Sequence, residues 1–231
     1  MKLNFWKIGL VLLGLGAWAA ASPVNITFIS GGGTNPGGIP YYPYTISVNG
    51  TNLTVACDDF LDHVTGQESF SGFASHYTDL SQTLFNGGNV APSLQYKELA
   101  FLFTRFQATP PTDNTENAAI NYAMWELFDT GHGSQDAFTK DPTLGNSGVD
   151  QSTYWLGQAA AQNYTNFNFS NFVIFSPNTS NTNGWTDGRP QEFIGEVPEP
   201  ATLALLGTGL LGLAFLFKRR LHDASGLDLQ A

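Results

Sequence analysis

Of the 231 residues, the two apolar ends are unsuited to a soluble core, which leaves one domain of about 176 residues between Ser22 and Val197. Five of the nine basic residues lie in those ends, so the middle keeps four against 16 acidic residues, a formal charge of −12. That balance opposes nucleic-acid binding, which draws its affinity from basic groups meeting phosphates. The single cysteine, Cys57, excludes an intramolecular disulfide framework and any multi-cysteine zinc or iron–sulfur site.

Residues 1–21 read as a secretory signal peptide. Lys2 and Lys7 form its positive region, Ile8 to Leu15 its apolar run and Ala19, Ala20 and Ala21 its small-residue exit. Cleavage is expected after Ala21, because a cut after Ser22 would place Pro23 directly beyond the scissile bond.

The middle, 22–196, reads as an exported α+β domain in which an antiparallel β-sheet packs with about three helices. Strands are expected at Asn25 to Ile29, Tyr44 to Val48, Leu53 to Cys57, Phe172 to Phe175 and Glu192 to Val197. Asn49-Gly50, between the second and third, suits a hairpin turn because both residues tolerate positive φ. The Gly31 to Gly38 stretch reads as a flexible loop; it lacks the Lys-Ser/Thr and helix of a phosphate loop. Leu99, Leu102, Phe103 and Phe106 follow helical spacing, as do Ile120, Ala123, Met124 and Leu127. Pro110-Pro111 separates the two, and Asp113 with Glu116 suits an N-terminal cap. A third helix, Ser152 to Asn163, carries Leu156, Ala159 and Ala160 on one face, and Asn178 to Trp185 reads as a loop.

Chemistry-bearing residues are sparse. Asp58, Asp59, Asp62 and His63, with His76 and His132, have metal-ligand chemistry but no established metal spacing, so the acidic stretch reads as a solvated loop and no metal or cofactor is expected. Glu126, Asp129 and Asp58 are the carboxylates open to a hydrolase reading, which needs two of them across a cleft. Asn-x-Ser/Thr triplets begin at Asn25, Asn49, Asn52, Asn163, Asn168 and Asn178 and suit exposed strands and turns. Most aromatic residues fall to the core by period, while Tyr41, Tyr42 and Tyr44 around Pro40 and Pro43 form a candidate sugar-stacking strip.

Two stretches carry a resemblance. Val55-Ala56-Cys57-Asp58-Asp59-Phe60 and Ala119-Ile120-Asn121-Tyr122-Ala123-Met124-Trp125-Glu126, with Tyr96 to Phe103 between them, resemble the thioester domains of bacterial surface adhesins. In that family a strand-end cysteine bonds to a glutamine in a helical Gln-x-Ala-Ile-Trp motif. Here Asn121 stands at the glutamine position. An asparagine side chain stops about 1.5 Å short, and errors of about 1 Å can cost roughly a hundredfold in reactivity. Cys57 with Asn121 is therefore a degenerate thioester pair, with a buried, inert thiol as the simpler expectation.

The C-terminal tail is more specific. Val197-Pro198-Glu199-Pro200 is followed by an apolar run, 201–217, and then by Lys218-Arg219-Arg220. This order resembles the PEP-CTERM sorting signal, also called the ice-binding protein C-terminal domain, of exported Gram-negative proteins. The resemblance implies an exosortase acting at or near the motif. Independently of it, 17 mostly apolar residues reach roughly 25 Å as a helix, enough for a short transmembrane span. The three basic groups would hold its end in the cytoplasm. The two prolines keep the motif extended and outside any helix. Residues 221–231 then form a cytoplasmic extension.

The resulting expectation is a non-enzymatic exported protein. Its partners are signal peptidase, exosortase and the membrane through 201–217, with exopolysaccharide as a candidate matrix partner. It passes through an inner-membrane intermediate on the way to the cell surface or extracellular matrix. A covalent adhesin using Cys57 and a secreted hydrolase are the alternatives.

Overall fold

The computed structural model describes residues 21–33, 40–60, 68–108, 114–128, 151–179 and 190–196, together with Gly209. Its contacts divide the chain into two units, 1–196 and 197–231. The expected signal peptide (apart from Ala21), Asp62, His63, Asp113, Asp129, His132, the Val197–Pro200 motif, Lys218, Arg219 and Arg220 lie outside the described residues, as does the 201–217 run apart from Gly209.

Six antiparallel strands close into a barrel in the order β1-β2-β3-β6-β5-β4. The strands are β1 (Ser22–Ser30), β2 (Tyr44–Val48), β3 (Thr51–Cys57), β4 (Ser69–His76), β5 (Phe172–Pro177) and β6 (Phe193–Glu196). The α+β expectation holds, with the sheet closed on itself so that each strand has a neighbour on both sides. Asn49 and Gly50 make the β2–β3 turn at φ 50° and 88°, and Val48 pairs with Thr51 across it. Both residues stand in the left-handed region that a two-residue hairpin requires.

Strand β4 was not legible in the sequence, and it closes the barrel between β1 and β5. Its Ser-Phe-Ser-Gly-Phe-Ala-Ser-His sequence has only Phe70 and Phe73 to favour a strand, no β-branched residue and a glycine at its centre, so the local signal is weak. Close approach explains the glycine: a Cβ on Gly72 would lie 2.3 Å from the Ser176 carbonyl oxygen of β5.

Among the described residues, three α-helices are inserted between β4 and β5: α1 (Leu94–Ala108), α2 (Asn114–Phe128) and α3 (Gln151–Ala160). Ser93 caps α1 by accepting from the Tyr96 N–H at 3.4 Å. The apolar faces read from the sequence are the buried ones. Leu99, Leu102, Phe103 and Phe106 of α1 join Ile120, Ala123, Met124 and Leu127 of α2 in one core. Helix α3 differs: it stops at Ala160, which faces solvent, and turns Ser152, Trp155, Leu156 and Ala159 inward. That set keeps the i, i+3, i+4, i+7 period one step away from the expected face.

Strand β5 is buried along its whole length because it has a core on each side. Phe172 and Ile174 belong to the core shared with the helices, as do Ala56 and Ile194. Inside the barrel, Phe193 stacks on Phe28 at 6.4 Å between centroids and meets Tyr44 edge-on at 6.0 Å. Each such side chain contributes roughly 1.5–3 kcal/mol when fully buried. Helix packing thus fixes the β3–β6–β5 side of the barrel, where the chemistry-bearing residues gather.

Candidate functional site

Cys57 ends β3 and pairs in register with Phe193 of β6. Asn121 lies in the second turn of α2, and both residues are wholly buried. The tertiary fold therefore brings together the two residues that the sequence comparison paired. Asn121 Nδ2 donates to the Cys57 carbonyl oxygen at 2.8 Å, and Asn121 Oδ1 accepts from the Tyr42 N–H at 2.8 Å. Its amide bridges the β2 and β3 segments just beyond their last ladder pair, Tyr44 with Val55.

The Cys57 thiol turns elsewhere, donating to the Asp59 carbonyl at 3.0 Å with the Trp125 indole beside it. Trp125 sits one turn beyond Asn121 and is buried with Tyr41, Ala118 and Tyr122. Burial pushes the thiol well above its ordinary range, and the acidic Asp59 and Asp58 push it the same way. A thiolate is the competent nucleophile, so this environment disfavours attack.

Asp58 and Asp59 overturn one sequence expectation. They are 0% and 3% exposed, so the start of the 58–63 stretch is interior and not a solvated loop. Asp58 follows β3 and faces Glu192, which precedes β6; the sequence singled out Glu192 only as the start of a strand. Its one available signal was a carboxylate abutting the apolar pair Phe193-Ile194. Tyr96 donates to Glu192 Oε1 at 2.5 Å, and the Leu84 N–H donates to Oε2 at 2.8 Å. Among the described residues, no group of three or more His, Cys, Asp or Glu could hold a metal ion.

The tyrosine strip is also corrected. Tyr41 and Tyr44 are 5% and 3% exposed, and the half-buried Tyr42 stacks on Phe106 at 3.8 Å, so the three rings do not form a continuous exposed strip. Glu126 accepts from Ser152 of α3 at 3.4 Å, which places it at a helix–helix contact. Cys57 and Asn121 thus form an interior staple, while the sorting residues follow the last strand in sequence.

Residues 196–220 match the PEP-CTERM protein-sorting motif. The match covers Val197, Pro198, Glu199, Pro200, the apolar run and Lys218-Arg219-Arg220 together. It implies an exported protein sorted by an exosortase. No curated protein and no solved structure matches the chain. The thioester-domain resemblance accordingly rests on its two sequence stretches alone. Among the described residues, no helix is long and apolar enough to cross a membrane.

Proposed function

We propose that the protein is a non-enzymatic component of the cell surface or exopolysaccharide matrix, displayed there as its barrel-and-helix domain after exosortase processing. The observation that carries this reading is where the motif begins. Strand β6 ends at Glu196, and the matched motif starts at that same residue. A cut at Val197–Pro200 therefore removes no residue from the six-strand barrel. In this reading Pro198-Glu199-Pro200 is the processing site, 201–217 holds the precursor in the inner membrane, and Lys218-Arg219-Arg220 stops transfer.

The test replaces Pro198-Glu199-Pro200 with three alanines in a host that contains exosortase. The apolar length and basic cluster stay intact, so insertion survives. Wild type should lose its tail while the variant accumulates as the longer, membrane-bound form. Identical C-termini in both, by mass spectrometry, would replace sorting with a permanent single-span anchor.

A covalent adhesin is the second reading, favoured by the contact between Cys57 and Asn121. Against it stand the shorter amide, both of its polar atoms already engaged, and a thiol turned toward Asp59. The arrangement supports a structural staple better than a reactive bond.

A further inference from the structure

We propose that Asp58 and Glu192 form a one-proton carboxyl pair that latches the β3–β6 seam, so that alkalinity loosens the barrel at this seam. The two residues stand opposite each other immediately beyond the last ladder pair, Cys57 with Phe193, and the Asp58 N–H donates to the Glu192 carbonyl at 3.3 Å. Both are 0% exposed. Two like charges facing each other across strands are destabilising even at a surface, and burial removes the water that would screen them.

The donors around the pair decide where the proton sits. Glu192 receives the Tyr96 hydroxyl and the Leu84 N–H, one on each oxygen, which suits a carboxylate. Neither oxygen of Asp58 has a hydrogen bond of good geometry, so an ionised Asp58 would be uncompensated. A protonated Asp58 can instead share its proton with Glu192 across the seam. Among the described residues, the titratable groups acting on the pair are acids: Cys57 and Asp59 beside Asp58, Tyr77 after β4, and Tyr96 on α1. Burial foremost, and then the mutual charge, raises Asp58 well above the usual carboxylate range, and burial raises Glu192 in the same direction.

The sign follows from proton counting. The native pair keeps a proton that the unfolded chain releases above its ordinary carboxyl pKa, so stability falls as pH rises toward the raised native value. One such proton makes the unfolding constant grow about tenfold per pH unit within that window. His76, whose pKa burial lowers, acts in the opposite direction, and Glu98, raised by burial, in the same one. Only the difference between wild type and a pair variant therefore isolates the latch.

The experiment is urea unfolding of the full chain in mild non-ionic detergent, followed by tryptophan fluorescence from about pH 6 to about pH 9. Asp58→Asn keeps the size and removes the titration. Its stability should lose up to a tenfold-per-unit slope relative to wild type; equal slopes would overturn the proposal. Infrared spectra of wild type at neutral pH supply a readout that needs no stable variant. A buried protonated-carboxyl band, lost on unfolding, is expected, and its absence in the folded protein would overturn the pair.

Discussion

Asn121 Nδ2 meets the Cys57 carbonyl at 2.8 Å across 64 residues of chain, while the Cys57 thiol points to Asp59. The residues of the suspected reactive pair are neighbours, but the contact joins amide to backbone. Helix α2 is thereby tied to the end of β3 and, through Oδ1, to the segment ahead of β2.

Replacing Asn121 with leucine should strip partners from two backbone groups in the interior. Each orphaned group costs about 1–3 kcal/mol, so urea unfolding should show a loss of roughly 2–6 kcal/mol. A loss below about 1 kcal/mol would show that the staple contributes little. Asn121→Asp should also destabilise, because a carboxylate can accept from Tyr42 but cannot donate to Cys57.

Cys57 should behave as a free thiol that reagents reach only after unfolding. The native protein should keep its full side-chain mass, with no loss of ammonia and no methylamine incorporation at Asn121. Asn121→Gln should not create a thioester, because the added methylene overpacks the site at about 1–3 kcal/mol and leaves the thiol facing Asp59. An ammonia loss in wild type would reinstate the covalent adhesin.

Gly72→Val should destabilise strongly. The new Cβ would meet the Ser176 carbonyl at 2.3 Å and the Ile26 side chain at 2.8 Å, so β4 must move away from β5. A cost of at least about 1–3 kcal/mol is expected from overpacking alone, read as a lower urea midpoint with an unchanged slope. Stability equal to wild type would mean that β4 yields there at no cost.

Charged residues at Leu10, Leu12 and Leu13 should hold the precursor in the cytoplasm, because the apolar run would lose its transfer energy. Cell fractionation reads the outcome. Normal periplasmic processing of that variant would overturn the signal-peptide assignment.

Elements whose burial follows a local period were legible. The faces of α1 and α2, strand β2 and the Asn49-Gly50 turn came out as expected, since each depends on spacing or φ preference within a few residues. Strand β4 did not, because its place is set by Gly72 fitting against Ser176, a neighbour more than 100 residues away. The Tyr41, Tyr42 and Tyr44 strip was ambiguous for the same reason: aromatic composition is equal for a core and for a sugar platform until Phe106 lies against Tyr42.

Sequence by itself determined the sorting tail, since motif, apolar length and terminal charge act through linear order and the bilayer as solvent. It also identified Cys57 and Asn121 as residues to compare. Tertiary structure alone decided what they do and what else lies beside them. Hydrogen bonding at Asn121 depends on where β2, β3 and α2 meet, and the protonation of Asp58 depends on Glu192 arriving opposite it from 134 positions along the chain. Proton affinity is set by burial and by nearby charge, and neither exists until the barrel has closed.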